Sequence, residues 1–160
     1  MIRKASAEDL PHILPIFDFA RAFMVKNGNP TQWQHSPTTE TLENDIRNGN
    51  LYVVENDGRI DGVFALIFGE DPTYRVIEGN WLDDSPYGTI HRVASAEGAH
   101  GIFAAALAFA LEKSKHLRID THRDNLPMQH LILKHGFQYC GVIYVADGSP
   151  RFAYERVEEK

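Results

Sequence analysis

Two kinds of residue in this chain have the types and spacing to do chemistry. In HRVASAEGAHGIFAAALAFAL, His91 to Leu111, a strand passes through small residues into a helix. A helix so begun leaves its first backbone N–H groups unpaired at its positive end, an arrangement that binds phosphate. Gly98, Ala99 and Gly101 let a ligand approach the main chain closely, although small residues also open many structural helices. For proton transfer the chain offers Glu78, beside Trp81, whose apolar wall can raise a carboxyl pKa, and His91, which titrates near neutrality unaided. The plain alternatives are a solvated loop acid and a core histidine. Metal chemistry is not expected, because His130 and His135 are five residues apart on one helix, well separated around it, with no Cys or carboxylate in a ligand pattern. Cys140 falls in an apolar strand without a neighbouring base and reads as an inert buried thiol.

The elements that must hold these groups alternate. Ile2 to Lys4 is a short strand, and Ser6-Ala7-Glu8-Asp9 caps a helix with Leu10, Ile13, Leu14, Phe17 and Phe23 at helical spacing. Thr38 to Asn48 is a second helix, stopped by Gly49. LYVVEN, an Asp57-Gly58 turn and IDGVFALIF form a hairpin. GEDPTYRVIEGNWLDDSPYG is a long connection of the kind that carries function. TIHRVAS reads as a strand, Gly98 to Lys115 as a helix and LRIDTH as a strand. THRDNLPMQHLILKHGF contains a helix stopped by Gly136, and FQYCGVIYV and RFAYERV make a last hairpin. The order β, α, α, β, β, β, α, β, α, β, β predicts an α/β fold with a mixed sheet, its central strand-helix-strand unit parallel and right-handed.

Length and composition bound the rest. At 160 residues, with 43% hydrophobic and 24% charged content, one domain spanning residues 1–160 is expected. A net charge of −6 without a basic cluster disfavours nucleic acid as a partner. The run Ile102 to Leu111 is about half the ~20 residues a bilayer crossing needs, so no membrane partner is expected. One cysteine, and a start with neither a signal nor a transit pattern, predict a reducing, cytoplasmic setting.

RVASAEGAHGIF, followed at the right distance by DNLPMQHLILKHGF, resembles the GNAT superfamily of N-acetyltransferases, and the likeness runs from Ile2 to Tyr154. It implies a largely antiparallel central sheet of about seven strands with a central parallel pair, flanked by about four helices. It also implies acetyl-CoA as cosubstrate and no metal. The family's first motif, a strand followed by R/Q-x-x-G-x-G/A, falls on Val93 and Ala94 at the strand end and on Gly98, Ala99, His100, Gly101, Ile102 and Phe103, whose main-chain N–H groups would take the pyrophosphate. Gly98 stands where the family usually has Arg or Gln, and Phe103 where it has a small residue. The second motif places Asn125 on the pantetheine arm with Met128 and Ile132 facing it, while Gly136-Phe137 turns the chain into the last hairpin. The alternative for these three is a helix cap and two core residues.

The resemblance implies direct transfer: a deprotonated amine attacks the thioester, an oxyanion forms near a strand-end N–H around His91 to Val93, and the thiolate leaves. Either Glu78 or His91 is then the base. Ile132 occupies the place of a tyrosine that serves many members as acid, so His122, with Tyr144 second, is the candidate proton donor. Trp33, Tyr74, Trp81, Tyr87 and Tyr144 are possible acceptor walls, and Glu70, Asp71, Glu78, Asp83 and Asp84 would attract a cationic amine. A primary amine of a small molecule or peptide is the expected acceptor, with a homodimer possible in this architecture. The competing expectation, from Gly98, Phe103 and Ile132, is a catalytically silent module that binds coenzyme A or acyl-CoA as a sensor.

Overall fold

The computed structural model describes residues 1–33 and 36–158. In chain order the elements are β1 (Ile2–Lys4), α1 (Leu10–Lys26), α2 (Thr39–Arg47), β2 (Leu51–Asn56), β3 (Arg59–Phe68), β4 (Glu78–Gly79), β5 (Gly88–Ser95), α3 (Ile102–Lys113), β6 (His116–Thr121), α4 (Leu126–Lys134), β7 (Gln138–Tyr144) and β8 (Pro150–Val157). They form one mixed sheet of eight strands in the order β1-β2-β3-β5-β6-β8-β7-β4, antiparallel except for the central pair β5 and β6. The mixed α/β fold expected from the sequence is therefore present. The eighth strand is β4, inside the long connection.

Period-two alternation along β3 divides the core between the two faces of the sheet. Phe64 and Leu66 pack with Ile90, Ile102, Ala106, Leu117 and Ile132 under α3 and α4. Val63 and Ala65 pack with Ile13, Phe17, Leu42 and Val53 under α1 and α2. α3 sits close to the sheet because Ala106 and Ala110, both without exposed surface, present only methyl groups to it.

β5 and β6 are the elements that open a site. Their ladder consists of Gly88 opposite Leu117 and Thr89 opposite Arg118, after which the strands run on separately to Ser95 and Thr121. On the other side of β5, His91 pairs with Ala65 and Ala94 with Val63, so Arg92 and Val93 form a bulge without cross-strand partners. Arg92 adopts φ 54°, a left-handed conformation rare for a long side chain. Its guanidinium is held there by Asp45 of α2, Nε to Oδ2 at 2.8 Å and Nη2 to Oδ1 at 3.0 Å. The main chain of Arg92 and Val93 is thus released from the sheet where the sheet divides.

The connection from Gly69 to Gly88 is pinned by side chains distant in sequence. Tyr74, fully enclosed, donates to Asp120 Oδ2 at 2.6 Å. The Arg118 guanidinium lies 3.9 Å from the Trp81 ring and 4.1 Å from that of Tyr87, between them. Glu155, with no exposed surface, accepts from Arg118 Nε at 2.8 Å, from His116 Nε2 and from the Leu82 N–H. β4 reaches β7 through two glycines: a Cβ on Gly79 would lie 2.1 Å from the Cys140 carbonyl oxygen, and one on Gly141 would lie 2.1 Å from that of Glu78.

Candidate active site

Two clefts meet at the divided sheet. The first, of ≈ 390 Å³, is bordered by Phe19 and Phe23 of α1, the end of β5 from Val93 to Ser95, Gly98 to His100, and Pro127, Met128 and Leu131 of α4. It is mostly apolar until it reaches the turn before α3. The second, of ≈ 730 Å³, lies on the other side of the division. It is lined by Thr31, Gln32 and Trp33, by Asp71 and Thr73, by Ile90 to Val93, by Ile119 to Thr121, and by Asp147 and Arg151. Met24, Val93, Asn125 and Met128 border both, so a group bound in one reaches the other across these four side chains.

The turn before α3 differs from the expected helix start at Gly98. Gly98 and Gly101 have φ 80° and 76°, outside the helical region, and α3 begins only at Ile102. The first helical bond runs from Ala105 N–H to Gly101 C=O, leaving the N–H groups of Ile102, Phe103 and Ala104 without a partner among the described residues. Ala99 is not part of this donor set, since its N–H is spent on the Ala96 carbonyl. Nothing lies within 4 Å of a Cβ built on Gly98 or Gly101, so these glycines serve the backbone conformation rather than a tight contact. Phe103 borders neither cleft: its ring is buried in the core and packs 5.4 Å from that of His135.

On α4, Asn125 and Met128 border the clefts and Ile132 does not. Asn125 caps the helix, its Oδ1 accepting the Met128 N–H at 3.2 Å, and its Nδ2 donates to Gln32 Oε1 at 2.9 Å. Ile132 has no exposed surface and belongs to the core beneath the sheet. Placing it against a cofactor arm is corrected accordingly: residue 132 is one turn further along the helix, on the flank that faces the core.

The two candidate bases are far apart. Glu78 is exposed on the outer edge strand, opposite Val142, and accepts the Tyr144 phenol. Neither Glu78 nor Tyr144 borders a cleft, and Trp81 is turned into the Arg118 stack, with its Nε1–H on the Tyr74 carbonyl at 2.9 Å. Trp33 does line the larger cleft, its ring centred 5.5 Å from that of Phe17 and tilted 59° to it.

His91 lines that cleft too, with Nε2 at 3.1 Å from Asp71 Oδ2. Burial works against the Asp71 carboxylate, yet the His91 contact and the Thr73 N–H and hydroxyl outweigh it and hold its pKa down at about 2. Asp71 is therefore an acceptor at neutral pH, so the neutral form of His91 carries its proton on Nε2 and has its lone pair on Nδ1, which has no partner among the described residues.

His122 is occupied on both nitrogens. Nδ1 accepts the Asp124 N–H at 3.0 Å, leaving Nε2–H to donate to Thr31 Oγ1 at 2.8 Å. Burial, with the Arg151 charge nearby, lowers its pKa below the ordinary 6.5. The expectation of a proton donor at His122 is corrected on this ground: the ring is neutral and its one N–H is already spent.

Asp120, Arg92 and Arg151 line the larger cleft without having been identified as site residues from sequence, and of the five acids expected to attract the acceptor only Asp71 lines it. Among the described residues no three His, Cys, Asp or Glu side chains come together as a metal site, and no helix is long and apolar enough to cross a membrane.

Among solved structures, an acetyltransferase of the GNAT family from Streptococcus agalactiae is similar over 100% of this chain and 96% of its own, at 33% identity and a TM-score of 0.88. A GNAT-family acetyltransferase from Listeria monocytogenes is similar over 98% of this chain and 93% of its own, at 18% identity and a TM-score of 0.69. N-acetylglutamate synthase from Neisseria gonorrhoeae, complexed with coenzyme A and N-acetyl-glutamate, is similar over 100% of this chain and 35% of its own, at 19% identity and a TM-score of 0.64. No family model and no curated protein matches the sequence.

Proposed function

This chain belongs to the GNAT family of acetyltransferases, and from that premise we propose that it moves an acetyl group from acetyl-CoA directly to a primary amine, with His91 as the base. The observation that carries the reading is the meeting of the two clefts at Val93, Asn125 and Met128, with His91 lining the acceptor side.

The residues present fit the cosubstrate. The free N–H groups at the start of α3 suit a pyrophosphate. The apolar cleft between α1 and α4 suits the pantetheine arm, and the unpaired main chain of Arg92 and Val93 can bond its amides. When bound, acetyl-CoA supplies an activated acyl carbonyl and a thiolate leaving group. The chain's own part is to hold that carbonyl oxygen against an N–H of the bulge, place the amine across Met128, and take the amine's proton at His91 Nδ1. Asp71 stabilises the imidazolium so formed and fixes the ring's tautomer. The competing reading, a coenzyme A sensor without turnover, is favoured by what α4 and its cap present to the clefts, Asn125, Pro127, Met128 and Leu131, none of which can protonate a departing thiolate.

The test is calorimetric titration with acetyl-CoA, with coenzyme A and with the nucleotide lacking pantetheine, followed by acetyl transfer to an amine panel. Binding that requires pantetheine is expected, and His91→Gln should lower kcat by about 10²-fold or more without changing acetyl-CoA affinity. Absence of binding would remove the transferase reading. Tight binding without transfer to any amine would establish the sensor instead.

A further inference from the structure

Arg151 is the one cation lining the acceptor cleft that no carboxylate holds among the described residues; its neighbour there, Arg92, is clamped by Asp45. The residue is 7% exposed. Its guanidinium donates only to neutral oxygens: Nη1 to Ser149 Oγ at 3.0 Å and to its neighbour Pro150's carbonyl at 2.9 Å, and Nη2 to the Gln32 carbonyl at a long 3.4 Å. Nε–H and the second Nη2–H have no acceptor among the described residues. Asp147, in the same cleft, spends Oδ1 on the Ser149 N–H and hydroxyl instead. The Asp147 charge reaches Arg151 only across the Ser149 hydroxyl, so the buried guanidinium has no carboxylate bonded to it directly, and a planar carboxylate would meet its two free N–H groups in a fork.

Asp120 stands beside it. In the β6–β8 ladder Asp120 is opposite Ala153, so Arg151 is its diagonal neighbour on the same face, a spacing of at most ~7–8 Å that long side chains span. Asp120 accepts from the enclosed Tyr74 hydroxyl, has no basic partner within ion-pair distance among the described residues, and borders the cleft. The adjacent Thr121 has a buried hydroxyl with no partner. A negative and a positive group thus face one cavity without pairing to each other.

We propose that Arg151 anchors the carboxylate of the acceptor while Asp120, held by Tyr74, accepts an N–H of its amine, so that the substrate is a free amino acid rather than a simple amine or a peptide N-terminus. The proposal rests on the acceptor cleft of the transferase reading. A peptide N-terminus has an amide where a free amino acid has its carboxylate, and would leave the Arg151 charge unmatched.

The experiment compares the common free amino acids with their carboxamides by ligand-observed NMR on the full chain with coenzyme A present. At least one acid should bind, about tenfold or more tighter than its carboxamide, and Arg151→Gln should abolish that preference while Arg151→Lys keeps part of it. The wild-type comparison stands even where Arg151→Gln does not fold, which its melting curve will show. Carboxamides that bind as well as acids, no acid binding at all, or a preference that survives in a folded Arg151→Gln protein each overturn the proposal. Calorimetry of coenzyme A alone separates the two failures: loss of cofactor binding speaks against the transferase reading, and cofactor binding without acid preference speaks against Arg151.

Discussion

Replacing Asp71 by Asn removes one charge from the cleft and little else. The side chain keeps its shape and can still accept the Thr73 N–H and hydroxyl, which bond Asp71 Oδ1 at 2.9 and 2.7 Å. The native carboxyl titrates at about 2 against an ordinary 3.8. Its folded pKa is depressed, so it contributes stability that is fully present above 3.8 and is lost as the pH falls through about 2. At about 1.4 kcal/mol per pH unit, the gap is worth about 2 kcal/mol at pH 7 and shrinks to about 1 kcal/mol at pH 3. Urea denaturation of both proteins at pH 7 and pH 3 should show Asp71→Asn less stable by these amounts. A difference of the same size at both pH values, or none at pH 7, would refute the assignment of Asp71 as an ionised acceptor for His91. The same substitution should lower transfer by disfavouring the His91 tautomer with its lone pair on Nδ1, which a pH–rate profile beside that of His91→Gln will register.

Gly101→Ala should cost about 1 kcal/mol by thermal melting, all of it from forcing an alanine to φ 76°, because open space surrounds the new methyl group. A much larger loss would mean that the turn is crowded. Glu155→Gln leaves the buried Arg118 and His116 facing a neutral amide, and should lower Tm on the order of 10 °C, from about 3–5 kcal/mol; near-native stability would show that the cluster is not what pins the long connection. Asn125→Ala should cost ~1 kcal/mol through the lost α4 cap and should also weaken coenzyme A binding. A stability loss with unchanged binding would make Asn125 a cap alone.

Local pattern was legible wherever a local cause decides it. The Asp57-Gly58 hairpin, the Thr38 cap with its side chain on the Thr41 N–H, and the strand-helix-strand centre follow from turn residues and periodicity. The residues from Gly69 to Gly88 were not legible, because what orders them is remote: Tyr74 is fixed by Asp120, Trp81 by Arg118 and Leu82 by Glu155. Glu78 read as a cleft acid because sequence gives no sign that Gly79 and Gly141 bring their strands into contact at the sheet edge. Arg151 reads in RFAYERV as one residue of an ordinary alternating strand, and only the β6–β8 register sets it beside Asp120. The sequence pattern starts α3 at Gly98 and the structure at Ile102, because Gly98 and Gly101 resemble helix-opening residues and only their positive φ values set them outside the helix.

The parallel junction of two residue pairs has a mechanical consequence. The half-sheets β1-β2-β3-β5 and β6-β8-β7-β4 share a seam only two rungs long at its closed end, whereas the antiparallel ladder of β6 with β8 has six. Relative twist of the halves therefore concentrates at that seam, and the gap between the clefts widens or narrows with it. An amide-bearing arm laid along residues 91–93 would add rungs where the seam has none, acting as a splint between the halves. Amide hydrogen exchange in β5 and β6 should then slow together when coenzyme A binds, although the two strands contribute to separate halves of the sheet.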